Sequence, residues 1–282
     1  MSTASLSART GLVRGRIELK QTFTTAQDIW GYIFPVVILV AVMFFMRDAT
    51  VPGTSFSLGA SAMLGVLGMQ VTMNGLMTVA QLLTVEREDG TLLRAKAIPN
   101  GMSAYLIGKI VVTLGMTVVA VALLLIAGML LFDGFATGPG AWFTLIFVLL
   151  LGLIATIPLG AMFGSLFSSP RSMGMMFFPI MGLVAISGIF YPITALPQWL
   201  QWIGQVFPMY WLGLGMRSAL LPDAMAAVEI GQSWRHLEMI GVLGAWAILG
   251  LLIAPVVLRR MARRESGSSV AERRQKAMQR VG

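Results

Sequence analysis

The sequence predicts an all-α integral membrane protein, and three observations carry that prediction. Charged residues make up 11% of the chain and hydrophobic residues 57%, whereas about a quarter of an ordinary soluble domain is charged. The mean hydropathy is +0.82. Apolar stretches long enough to cross about 30 Å of hydrocarbon, a distance that takes about 20 helical residues, recur at 29–46, 59–84, 106–131, 142–167, 173–191 and 237–258. Unpaired backbone groups are costly in lipid, so these runs must be helices or the strands of a closed barrel. A barrel needs short strands of alternating polarity, and none of these runs alternates.

Residues 1–28 form a leader ahead of the first run, too long and without the small-residue cleavage site of a signal peptide. Within it, "TGLVRGRIELKQTFTTAQD" (10–28) sets Leu12, Ile17, Leu19 and Phe23 among Arg14, Arg16, Glu18 and Lys20. That is the pattern of an amphipathic helix lying at the inner interface; a loosely ordered basic leader is the competing reading. Residues 29–258 hold the six spans, and 259–282 form a basic tail that acts first as a stop-transfer anchor. Lys and Arg in the connections set the orientation. With the N-terminus inside, 17 of them lie on the cytoplasmic side and three, Arg47, Arg217 and Arg235, on the other. Both termini are therefore expected in the cytoplasm. The net charge of +8 belongs to membrane orientation, because the basic residues cluster at span ends and in the tail and build no groove for nucleic acid.

Between the second and third spans lies a charged island, "VEREDGTLLRAKAIPN" (85–100). Thr84 is placed to cap a turn beginning at Val85, Glu86, Glu88 and Asp89 favour a helix N-terminus, and Arg94 and Lys96 favour its end. Pro99-Asn100-Gly101 stops it. The prediction is a short capped helix parallel to the membrane. Orientation alone requires only Lys and Arg, so three carboxylates in four residues suit a protein-docking face. Ahead of the last span, "YPITALPQWLQWIGQVFPMYWLGLG" (191–215) is broken by Pro192, Pro197 and Pro208 and crowded with Tyr191, Trp199, Trp202, Phe207, Tyr210 and Trp211. It reads as two short helices around Pro208 that dip into the outer leaflet with aromatics at headgroup level. An ordinary interfacial loop would carry the same composition.

At these two places the chain resembles a known family. "ERE.GTL" after the second span, followed by a Pro and the third span, resembles the coupling segment of ATP-binding-cassette type-2 (ABC-2) permeases, the membrane subunits of exporters. "SGIFYPITALPQWLQWIGQVFPMYW" (187–211) resembles the same family's second signature, in the same order. Length and short loops are most similar to bacterial drug-exporter permeases of the daunorubicin-resistance kind. The resemblance implies that Glu86, Arg87, Glu88, Asp89, Gly90 and Thr91 seat in a groove of a separate ATPase, present in two copies, which binds ATP and Mg. It also implies a pathway made by two copies of this chain, or by this chain and a paralogue, in a bacterial inner membrane.

The chain itself offers no catalytic chemistry. It has no cysteine and a single histidine, His236, at the outer edge of the last span. "GMSAYLIGKI" has the wrong spacing for a phosphate loop and no Ser or Thr after Lys109, so Lys109 is expected to snorkel to the headgroups. No cofactor or metal is expected in this chain. Secondary transport would place an ionisable residue at mid-membrane, and the spans show none. Candidate lining residues for an apolar substrate path are Thr72 and Asn74 on span two, with Met175, Met176, Phe177 and Phe178 on span five. Re-entrant candidates are Tyr191, Pro192, Pro197, Pro208 and Tyr210. Gly160 and Gly164 have the spacing for close helix approach. The expected function is a permease that moves a drug-like molecule, a lipid or a lipid-linked glycan out of the cytoplasm or inner leaflet. The alternative is a six-span scaffold in which the island only docks a partner.

Overall fold

The structure, a computed structural model, describes residues 3–24, 26–98, 101–167 and 174–264. Pro99, Asn100, Arg171 and the tail from 265 lie outside the described residues. Within them every regular element is a helix, apart from one isolated bridge between Thr50 and Ser57. In chain order they are α1 (Thr3–Thr22), α2 (Ala26–Phe45), α3 (Leu58–Glu88), α4 (Thr91–Lys96), α5 (Gly101–Leu131) and α6 (Pro139–Leu166), followed by α7 (Phe177–Ile186), α8 (Gln198–Val206), α9 (Pro208–Leu220) and α10 (His236–Arg264).

Four helices, α3, α5, α6 and α10, are long and apolar enough to cross a membrane. Two shorter apolar helices, Ile29–Phe45 and Gly174–Ile186, stand where the first and fifth spans were expected. The fifth is the clear departure from 173–191. A helix of that length covers roughly 20 Å at 1.5 Å per residue, well short of the hydrocarbon thickness. Local chemistry ends it early: the Ser187 hydroxyl turns back to the Leu183 carbonyl at 2.5 Å, and Gly188 takes a left-handed φ of +59° that most residues avoid.

α3 is the central helix, 78% buried along its apolar window against 22% for α10. Its start is set by Ser57, whose side-chain oxygen accepts from the Ala60 amide at 3.3 Å. Helices cross it where small residues let backbones approach. A side chain at Gly68 would run into the backbone of Leu212 and Gly213 in α9. The paired glycines of α6 act in the same way: Gly160 lies on the Gly75 and Leu76 carbonyls of α3, and Gly164 lies on Ala80. At the Gly160 crossing α3 loosens into a π-helical turn, Asn74–Thr78, a rare one-turn irregularity in α-helices.

The ends of the bundle differ. At the basic end, Leu83, Leu92, Ala95, Tyr105, Leu258 and Met261 gather into a small apolar cluster that joins the end of α3, α4, the start of α5 and the end of α10. At the opposite end the α5–α6 loop ties to α9, the Ala136 amide donating to the Leu220 carbonyl at 2.8 Å.

α1 corrects the leader reading. It is a formed helix that starts earlier than expected and ends at Thr22, packed along α5 rather than lying alone on a surface. Ser7, Gly11 and Gly15 face inward, with Gly11 on Ala104 and Ile107, and Gly15 on Gly108 and Val111. Leu12 and Ile17 stay exposed.

Candidate functional site

The charged island folds differently from a single capped helix. The Thr84 hydroxyl is buried and bonds back to the Ala80 carbonyl at 2.8 Å inside a continuous helix, and Glu86, Arg87 and Glu88 form the last turn of α3. The break falls at Asp89-Gly90, where Gly90 has φ +79°. Asp89 then accepts from the Thr91 amide at 2.7 Å, and α4 begins. Arg94 and Lys96 lie in the last turn of α4, as expected.

Glu86 and Arg87 at the end of α3 are held by different neighbours. Lys109 of α5, only 5% exposed, does not snorkel. Its Nζ donates to Glu86 Oε1 and to Glu18 Oε2, both at 2.6 Å. The Tyr105 hydroxyl donates to Glu86 Oε2 at 2.5 Å. Arg14 Nε donates to Glu18 Oε1 at 2.7 Å, its other nitrogen stands 3.8 Å from Glu86, and its guanidinium lies 5.3 Å from the Tyr105 ring centre. Two cations and two carboxylates thus join α1, α3 and α5 with no net charge. Burial alone pushes the Glu18 carboxyl up, but the hydrogen bonds from Lys109 and Arg14 outweigh it and hold the pKa below the usual carboxylate value. On the other side of α3, Arg87 donates to the Ser165 and Phe167 carbonyls at 3.2 and 2.9 Å, closing the C-terminal end of α6, where a cation is favoured.

Glu86 is therefore committed inside the chain, its side chain 12% exposed. Glu88 is half-buried, Gly90 is buried, and Asp89 is exposed. Asp89 and Thr91 border a polar cleft of about 900 Å³ between α1, the end of α3 and α5, with Glu18, Glu86 and Lys109 on its wall.

A second cavity, about 450 Å³ and apolar, opens between α3, α6, α7, α9 and α10. Of the expected path residues it includes Thr72 and Met176. Asn74 lies just beyond on the π-turn, buried, with its amide nitrogen unpartnered among the described residues. Met175, Phe177 and Phe178 point away and are 66%, 58% and 78% exposed.

The proline-rich segment breaks where expected. Pro208 opens α9 at its first position and Phe207 separates it from α8. Pro197 precedes α8, and Pro192 precedes a single 3-10 turn. The Tyr191 hydroxyl donates to the Ala185 carbonyl, and Tyr210 is fully buried against Trp211, ring centres 5.0 Å apart. Phe207 stacks on Trp246 of α10 at 6.3 Å. His236 is the first residue of α10. Arg217, counted from sequence among the three basic residues of the outer side, is 2% exposed and paired with Glu229 at 2.7 Å. Its Nη1 also donates to the Gly188 carbonyl at 3.2 Å. The spacing of 12 residues across a turn gave no periodic signal for that pair.

The sequence model of a family described as ABC-2 type transporter matches residues 14–221, from the Arg14 of the charged cluster to the residue after α9. The chain belongs to that family. It is a multi-pass membrane protein, the membrane domain of an ABC transporter and a transport subunit rather than a catalytic one. No curated protein matches it significantly.

Proposed function

We propose that this ABC-2 permease is the membrane subunit of an exporter driven by a separate ATPase, with both termini cytoplasmic in a bacterial inner membrane. Its cargo is a hydrophobic or amphipathic molecule: drug-like, lipid or lipid-linked glycan. Two ATPase copies, which bind ATP and Mg, act on a pair of permease chains, either two copies of this one or this one with a paralogue. The observation that supports this reading is the clamped end of α3. Glu86 ties it to α1 and α5, Arg87 ties it to α6, and the Gly90 turn then presents α4 at the basic end. A push on Asp89–Lys96 cannot be absorbed by a loose loop. It passes into α3, the buried centre of the bundle, and reaches the π-turn and the apolar cavity beside it. Rigid elements with discrete arrangements carry such motion.

The docking charges on this reading are Asp89, Arg94 and Lys96, which are exposed, with Glu88 beside them. The test is co-purification with a partner ABC ATPase and ATP-dependent efflux in inverted vesicles. Reversing Asp89 and Arg94 together should leave the abundance of the permease unchanged and lower ATPase capture about tenfold, the equivalent of 1.4 kcal/mol at a charged contact. Full capture and full efflux in that variant would remove α4 from the interface.

A further inference from the structure

We propose that the apolar cavity seats one acyl chain of a bilayer phospholipid, bound whether or not transport is under way. The argument starts from what the wall lacks. Only two lining side chains carry a hydrogen-bonding donor, and both are already engaged: Thr72 donates to the Gly68 carbonyl at 3.0 Å and Trp246 donates to the Val206 carbonyl at 2.7 Å. The remaining lining side chains are leucine, isoleucine, phenylalanine, methionine and proline. A polar guest would lose its hydration against this wall and find no side chain to replace it. Water is equally unsuited, since apolar cavities stay dry.

Size and shape narrow the occupant. An apolar cavity of about 150 Å³ takes up benzene. The volume here is about 450 Å³, so the same proportion gives on the order of eighteen carbons, the size of one acyl chain and well short of a two-chain lipid. On the side of the basic end the lining residue Leu166 is 72% exposed and Pro179 is also exposed, so an acyl chain would enter there. The far wall is Phe207, Pro208 and Trp246. A chain entering from the lipid at the Leu166 side would leave its headgroup outside and end its tail against the tip between α8 and α9. An empty cleft would forfeit the dispersion contacts of its whole lining.

The walls also say what the chain would do. Leu76 belongs to the π-turn of α3, and Phe207 and Pro208 form the break between the two short helices. A resident tail wedges the two irregular elements apart, so its presence biases the position of α9 relative to α3.

The test uses the full chain in nanodiscs of phosphatidylethanolamine and phosphatidylglycerol, with a trace of phosphatidylcholine carrying a diazirine at its acyl terminus. After illumination, peptides are mapped by mass spectrometry. Label should concentrate on the segments containing Phe207 and Trp246, in excess of the more exposed Phe178 and Leu252. Replacing Ile180 and Leu183 together by Phe fills the cleft and should lower that label about tenfold, whereas Leu252→Phe on the outer face of α10 should not. Label spread in proportion to exposure in the native chain overturns the proposal, as does undiminished label in the folded double variant. If the double variant does not fold, the native map alone decides.

Discussion

The two ends of this permease each hold a charged cluster, and they are built on opposite principles. At the basic end four charges and a tyrosine share hydrogen bonds across three helices and border a wide polar cleft. At the opposite end Arg217 and Glu229 are sealed, 2% and 4% exposed, and one nitrogen and one oxygen of the pair find no partner among the described residues. The first cluster opens on that cleft, with the Arg14 and Glu18 side chains 31% and 23% exposed, so its outer members can exchange partners at modest cost. The second is a single pair in a dry setting, where separation leaves two buried charges. The open cluster is suited to a joint that moves, and the sealed pair to a joint that holds α9, the Gly188 turn and the 223–232 loop together.

The largest effect is expected at the sealed end. Arg217→Met leaves Glu229 buried without its partner and should destabilise the permease by about 3–5 kcal/mol, read as lower yield and an earlier thermal transition in detergent. The double replacement, Arg217→Met with Glu229→Leu, should recover most of that loss, because two apolar groups can substitute for a buried pair. Failure of the double variant to recover would mean that the bond to the Gly188 carbonyl, and not the ion pair, carries the joint.

A smaller effect is expected at the basic end. Glu86→Gln leaves Lys109 with Glu18 and keeps an acceptor for Tyr105, so the loss should be about 1–3 kcal/mol, as for a hydrogen bond to a charged group. It should appear locally, as faster amide exchange in α1 and the last turn of α3, with the rest of the bundle unaltered. A global loss as large as that of Arg217→Met would erase the distinction between the two joints.

Sequence alone located what depends on neighbours along the chain and missed what depends on neighbours in space. The break at Pro208 was legible because proline ends a helix wherever it stands. The close approach of α6 was legible in the four-residue spacing of Gly160 and Gly164. The early end of α7 was encoded in Ser187-Gly188, but a hydropathy window averages across such a break. Asp89-Gly90 carries its own turn signal, yet Thr84 competes with it as a cap candidate because it stands where polarity first rises. The pairing of Lys109 with Glu86 was not legible, for a reason common to both residues. Each looked like a surface charge until α1 was docked, and docking rests on Ser7, Gly11 and Gly15, small residues within a stretch that reads as polar. No periodicity marks Glu229 as the partner of Arg217.

The mildest test concerns acid, and its sign follows from Glu18. Its folded pKa lies below the ordinary value of 4.5, since hydrogen bonds from Lys109 and Arg14 overcome the opposing effect of burial. A depressed carboxylate contributes stability that is complete above 4.5 and is lost as pH falls through the lower folded value. Arg14 is shifted the other way, above its ordinary value, so it stays charged and adds no slope in this range. The groups facing Glu18 are Arg14 on its own helix and Lys109 on α5, with Glu86 of α3 across the shared lysine. The docking of α1 should therefore be flat from neutral pH to about 5 and weaken below 4.5. Because the chain has no native cysteine, a nitroxide on Thr10→Cys, at an exposed position of α1, reports that docking as side-chain and helix mobility. Mobility should rise on acidification, and Glu18→Gln should blunt the rise while Glu86 remains in place. An identical acid response in the Gln variant would show that α1 is held by its Ser7, Gly11 and Gly15 packing alone, and the open cluster would then be a consequence of docking rather than a cause.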